Sequence, residues 1–258
     1  MSNGRALSII VHAESKVGKS TLCSTAPPPL LFLDVESGHR FLPGRKVFWD
    51  PMTQNPPTCD DNSWDMCVVN LRTYAHMQQA YNWLNSGQHC FRSVAIDSIT
   101  ELQVRCREQL EQSGQMTIQR WGELLTSMEQ LVRGFRDLTE HQTNPLEAVI
   151  VTSMTEFKDN KWRPYVQGKL QVKLPYFFDL IMYLYTEDIP HPTDPMQPPT
   201  RVRRGLTQAQ QNIEAGERVQ GRLPMIIDNP RVDTMLDMIF GPLEIPATTE
   251  QQPAAPLS

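Results

Sequence analysis

The run Ala13-Glu14-Ser15-Lys16-Val17-Gly18-Lys19-Ser20 restricts what this chain can fold into more than any other stretch. It follows the spacing G-x-x-x-x-G-K-[ST], with alanine in the first position. Such a loop holds phosphate because backbone N–H groups and the N-terminus of the next helix converge on one anion. In that geometry Gly18 lets the backbone approach closely and Lys19 reaches the β- and γ-phosphates. The Ser20 hydroxyl ligates Mg²⁺, and Thr21 follows in the first helical turn. A buried strand must precede the loop and a helix must follow it. Leu7-Ser8-Ile9-Ile10-Val11 is a short apolar run suited to the middle of a parallel sheet. A helix is expected from Lys19 to Ser24, before Pro27-Pro28-Pro29 stops it. The Ala13 methyl group is tolerable at negative φ and strained at positive φ. Lys16 either adds a phosphate contact or points to solvent.

The rest of the chain alternates in the same manner. Leu30-Leu31-Phe32-Leu33, Val68-Val69-Asn70, residues 91–96 and Ala148-Val149-Ile150-Val151 read as strands, and residues 177–185 as a further extended segment. Tyr74, Met77, Tyr81 and Leu84 have helical spacing, and a second helix is expected over residues 100–112. Trp121, Leu124, Leu125, Met128, Leu131, Val132, Phe135 and Leu138 mark one face of a long amphipathic helix. Residues 50–65 and 188–200 carry the composition of surface loops. Strands alternating with helices predict an α/β fold, a mostly parallel central sheet flanked by helices. One domain is expected over residues 1–245, and residues 246–258 have too little to bury and should be disordered.

Two strands end in acids. Phe91-Arg92-Ser93-Val94-Ala95-Ile96-Asp97 places a carboxylate at the carboxyl edge of a parallel sheet, where it can hold the Mg²⁺ shell. Asp34-Val35-Glu36 ends the strand after the phosphate loop, and a carboxylate there can polarise the water that attacks a γ-phosphate. Lys19, Glu36 and Asp97 are thus the candidate catalytic residues, with Glu101 the next acid to consider.

Composition sets limits on partners. No apolar run approaches the length of a bilayer-spanning helix, and the N-terminus lacks the apolar core of a signal peptide, so a cytoplasmic protein with no membrane contact is expected. Five cysteines, odd in number and without a CxxC pair, announce neither a zinc site nor a disulfide framework and read as buried or incidental thiols. A net charge of −5 excludes a uniformly basic nucleic-acid-binding domain. Contact with nucleic acid then falls to local patches. One candidate is the segment 113–119 with Arg120 and Trp121. Another runs from Thr155 through Lys158, Lys161, Trp162, Arg163, Tyr165, Lys169 and Lys173, where cations interleave with aromatic rings as single strands require. The same residues also suit a β-hairpin edge with a solvated face. Lys169 or Lys173 could instead reach a neighbouring subunit's ATP. Arg201-Val202-Arg203-Arg204 is a third basic cluster, more in keeping with a solvated edge strand.

The order of phosphate loop, Phe32-Leu33-Asp34-Val35-Glu36-Ser37-Gly38, and Val94-Ala95-Ile96-Asp97-Ser98-Ile99-Thr100 resembles the RecA-like ATPases. Within them it is most similar to the phage-encoded RecA-core proteins of DNA recombination and single-strand annealing. Two later segments, 168–179 and 217–224, share that likeness, which spans residues 6–242. The resemblance implies Mg-ATP hydrolysis with Glu36 as the catalytic base, single-stranded DNA as partner, and a homo-oligomeric ring or filament. It also implies a host-cytoplasmic location and a phage single-strand-binding protein as a further partner. The group often carries a polar γ-phosphate sensor after the strand that here ends Val149-Ile150-Val151. Thr152 or Ser153 is available, and Met154 stands where a histidine is expected. The alternative function is an accessory ATPase that acts on a protein partner in DNA replication or repair.

Overall fold

Alternation along each central strand sends every second side chain to the opposite face, and both faces are apolar. The computed structural model describes residues 4–60, 62–112, 114–190 and 196–243, and the tail expected at 246–258 lies outside these. The first half comprises β1 (Leu7–Ala13), α1 (Lys19–Cys23), β2 (Leu30–Asp34), β3 (Lys46–Phe48), β4 (Met66–Asn70), α2 (Tyr74–Asn85), β5 (Ser93–Asp97), α3 (Ile99–Glu111) and α4 (Ile118–Asp137). There follow β6 (Ala148–Lys158), β7 (Lys161–Tyr165), α5 (Leu170–Lys173), β8 (Leu180–Ile189), β9 (Thr200–Leu206), β10 (Gly216–Glu217), β11 (Ile226–Asp228) and α6 (Val232–Phe240).

The strands join one sheet in the order β11-β9-β8-β1-β6-β5-β2-β4-β3, with β10 on β8 and β7 on β6. From β8 through β1, β6, β5, β2 and β4 to β3 every pairing is parallel. The pairings of β7, β9, β10 and β11 are antiparallel. Ile10, Leu31, Leu33, Val94, Ile96, Val149 and Val151 point to the face covered by α2, α3 and α4. Ile9, Val11, Leu30, Phe32, Ala95 and Ile150 point to the face covered by α1 and α6. The expected α/β fold is therefore what forms. Among the described residues no helix is long and apolar enough to cross a membrane.

Two expectations are corrected. The segment 177–185 is not extended throughout: a 3-10 turn spans Leu174–Phe177, and the strand begins at Leu180. Pro175 sets the φ that a tight helical turn needs, and Phe177 and Phe178 are both buried against the helical layer, so their apolar run imitates a strand. The cysteines are not all free, since Cys59 and Cys90 form a disulfide with Cα atoms 6.0 Å apart. They lie 31 residues apart, and only the folding back of the 50–65 loop against the start of β5 brings them together. Cys23, Cys67 and Cys106 are buried free thiols.

Candidate active site

The phosphate loop leaves the central strand β1 and turns into α1. Gly18 has φ 101°, in the left-handed region, and a Cβ there would lie 2.9 Å from the Arg203 guanidinium. Conformation and close approach both demand glycine. Ala13 is the last residue of β1, extended and buried, which is why a methyl group is accepted in the first position. Lys16 is exposed and itself left-handed at φ 65°. Lys19 folds over the loop, its Nζ donating to the carbonyls of Ala13 (3.2 Å) and Glu14 (3.0 Å). Burial lowers the pKa of this ammonium, against the pull of the Glu36 and Asp97 carboxylates.

Parallel pairing of β2 with β5 sets Asp34 opposite Asp97. Asp34 is buried and accepts the N–H groups of Glu36, Gly38 and His39, each at 3.1 Å, as well as the His39 ring. It builds the turn that presents Glu36 at the rim of the site. The Ser98 hydroxyl donates to Glu36 and its oxygen also caps α3 by accepting from the Glu101 N–H. Desolvation raises the Glu36 carboxyl, an effect the Ser98 bond opposes and the charge of Asp97 reinforces. Asp97 is buried and accepts from the Ser20 hydroxyl at 2.5 Å and from Thr152. Burial raises its pKa, and those two hydroxyls oppose the rise. Glu101 pairs with Arg105 at 3.3 Å and does not line the cleft.

Neither hydroxyl expected after Val151 faces the phosphate loop. Thr152 holds Asp97, and Ser153 turns inward to accept the Tyr165 N–H at 3.0 Å beside Thr100. The residues of that strand which do face the loop are Met154 and Thr155.

The second basic segment is divided by the fold. Residues 155–165 form a hairpin of β6 with β7, whose turn residues Asp159 and Asn160 have φ 51° and 59°. Paired left-handed residues suit the right-handed twist of a two-residue hairpin turn. Phe157 and Trp162 face each other across it with ring centroids 5.1 Å apart, and Trp162 also lines the phosphate cleft. Lys158 and Lys161 flank the turn, and Arg163 lies 3.7 Å from Asp159. Lys169 and Lys173 are not on the hairpin; they bound α5, where Lys173 pairs with Glu129 of α4 at 2.7 Å. In the first segment Arg120 donates to the carbonyls of Leu110 and Gln115. Arg201 and Arg204 are ion-paired on the surface, whereas Arg203 turns inward and donates to the Gly18 carbonyl at 3.3 Å. Asp34 and Ser98 fall within the two acidic strand-end motifs read from the sequence, and Arg203 within the third basic cluster, but none is assigned its role from there. His12 is missed, although a lone polar ring at the end of the apolar strand before the loop is a signal.

Around the loop lies a cleft of about 820 Å³, bounded by residues 13–16, Gly18, Lys19, Ser20, Thr21, Glu36, Gly38, Phe41, Asp97, Met154, Thr155 and Trp162. A glycine-turned loop, its lysine, and two carboxylates at the carboxyl edge of a parallel sheet can bind a nucleoside triphosphate and activate water against it. Fold and site together define a P-loop ATPase. Residues 5–219 match a family described as an AAA domain, and the chain belongs to that family, which binds and hydrolyses ATP. No curated protein matches the chain.

Proposed function

We propose that this ATPase is a RecA-like, single-stranded-DNA-binding protein of DNA recombination or annealing that works as a homo-oligomer. The observation that carries the reading is the hairpin: its Trp162 lines the nucleotide cleft while Phe157, half-exposed, and Lys158 stand outside it. One element can thus meet both ATP and an extended anionic strand. A phage origin, a host-cytoplasmic location and a phage single-strand-binding partner follow from the sequence resemblance and belong to the same proposal.

Ser20 and Asp97 suit Mg²⁺. Their oxygens lie 2.5 Å apart, and a Cβ on Gly38 would stand 2.9 Å from Ser20 Oγ and 3.2 Å from Asp97 Oδ2, so glycine keeps this place open. Among the described residues no cluster of His, Cys, Asp and Glu completes a metal site alone, which leaves the remaining ligands to phosphate and water. Ser20 and Asp97 would hold Mg²⁺ there, and the ion would supply positive charge against the triphosphate. Lys19 orients the same phosphates, and Glu36 accepts the proton of the attacking water. Gly38→Ala is expected to weaken Mg-ATP binding by roughly five- to 150-fold, the effect of a roughly 1–3 kcal/mol overpacking. Titration of nucleotide with and without Mg²⁺ checks this, and equal affinities in variant and parent would remove Gly38 from the site.

The DNA reading is tested by fluorescence anisotropy of a labelled oligonucleotide across a salt series, with and without ATP. Binding should appear with ATP, when subunits align their hairpins along one strand. Replacing Lys158, Lys161 and Arg163 with alanine should reduce the log–log salt slope by about 2, at roughly 0.7 per phosphate contact. Phe157→Ala should lower affinity by roughly 1–3 kcal/mol with the slope unchanged, because stacking is not ionic. A second reading, an accessory ATPase acting on a protein, is favoured by the exposed apolar side chains of Val172 and Tyr176 beside α4. Absence of ATP-dependent DNA binding at low salt would leave that reading standing.

A further inference from the structure

The Cys59–Cys90 disulfide stands at the end of the sheet away from the phosphate loop. Cys90 lies just before β5, and Asp97 at the far end of that strand meets the cleft. Cys59 belongs to the 50–65 loop, which joins β3 to β4. With the strands in the order β5-β2-β4-β3, the bond ties the connection between the two outermost strands to β5, past the intervening β2. Two indoles also hold the loop. The Trp49 N–H donates to the Gln54 carbonyl at 3.0 Å and the Trp64 N–H to the Thr58 carbonyl at 3.1 Å. Both rings pack on Phe91, with centroids 6.4 and 6.1 Å away.

Both bonded cysteines are half-buried, whereas Cys23, Cys67 and Cys106 are buried. Cys90 also lines a cavity of about 820 Å³ where β1 and β5 begin. Arg92 and Arg218 line it too, with the acids Glu140, Glu147 and Asp179. Arg92 is bound to Glu147 at 2.6 and 2.9 Å, and Asp179 is taken up by the N–H and hydroxyl of Ser8 at 3.0 and 2.6 Å. Arg218 is left with the Tyr176 carbonyl and with Asp179 at 3.8 Å. Cations beside a sulfur favour the thiolate that exchange requires.

We infer that Cys59 and Cys90 are a redox modification site, opened and closed by a small carboxylate-bearing thiol of the glutathione class that enters this cavity. The incoming thiolate bonds to Cys90 Sγ and the Cys59–Cys90 bond breaks. Its electron pair leaves on Cys59 Sγ, which takes a proton from water. A second thiol attacks the sulfur of the bound one and releases Cys90, which is protonated in turn. Two small thiols become one disulfide, and the protein gains two electrons and two protons. The reverse sequence closes the bond. The carboxylates of such a thiol match Arg218, the cation there with no close acid. Closed, the bond fixes the 50–65 loop to β5; open, the indoles hold it without that tie. Neither nucleotide nor Mg²⁺ enters the reaction, so the inference stands apart from the proposed function.

The experiment equilibrates the folded parent protein in mixtures of reduced and oxidised glutathione, traps it with acid and maps its cysteines by mass spectrometry. Cys59 and Cys90 should pass together between disulfide and thiols, while the three buried thiols acquire no glutathione. Trapped early, the glutathione adduct should lie on Cys90. Arg218→Gln should slow reduction by glutathione about threefold, the worth of an exposed ion pair, and leave reduction by the neutral thiol mercaptoethanol unchanged. On opening, hydrogen exchange at the Gln54 and Asp65 amides, which donate to Asp50 and Arg45, should rise at least ~10-fold, within what a cross-link confers. Replacing both cysteines with serine should reproduce that rise. A bond that glutathione never opens in the folded parent overturns the proposal, and that measurement needs no variant to fold. So does an early adduct on Cys59, an equal effect of Arg218→Gln on both thiols, or a loop whose exchange ignores the state of the bond.

Discussion

Lys19→Ala is expected to lose nucleotide binding by at least ~100-fold and to lose turnover with it, while the fold persists. The lysine contributes charge-assisted bonds to two phosphates, each worth roughly 1.5–3 kcal/mol. Nothing in the core depends on it, since its Nζ bonds only the carbonyls of Ala13 and Glu14 in the loop itself. Calorimetric titration with ATP and a thermal melt separate the two effects. Turnover at the parent rate would remove the phosphate loop from the mechanism.

Glu36→Gln should behave differently. The amide keeps the side chain's size and still accepts the Ser98 hydroxyl, so ATP is retained. It cannot take a proton from water, and single-turnover hydrolysis should fall at least ~100-fold, the lower range for removing a general base. Asp97→Asn should instead raise the Mg²⁺ concentration needed for turnover, because Asp97 stands against the Ser20 hydroxyl at the proposed place of the ion. If Glu36→Gln hydrolyses at the parent rate, the base is another group. Glu101 is then the acid to replace, although Arg105 holds it outside the cleft.

What could be read from the sequence was whatever repeats with a short period or sits at a fixed spacing. The phosphate loop and the strand ends at Glu36 and Asp97 are local patterns, and the structure brings them into one cleft. The α/β fold was legible for the same reason, since period-2 strands and a period-3.6 stripe on α4 are written within single elements. Contacts made across long separations left no such mark. The Arg203 donation to Gly18 joins residues 185 positions apart, and neighbours of Arg203 with the same charge face the surface. His12 meets Glu214 across 202 positions. The basic residues of 155–173 form a continuous stripe in sequence, yet a hairpin turn and the short helix α5 send them to separate places. Charge pattern alone does not record where a chain reverses.

The position of β1 has a consequence for how the protein is made. Its two partners, β6 and β8, begin at residues 148 and 180, so the strand that leads into the phosphate loop emerges before either and is enclosed late. At ~5–20 residues per second of synthesis, β1 waits on the order of ten seconds for its first neighbour. Through that interval its seven residues, all buried in the finished sheet, present two unpaired edges. The nucleotide loop thus leaves the ribosome well before the strands that enclose it, and β1 is among the last parts of the parallel sheet to be sealed.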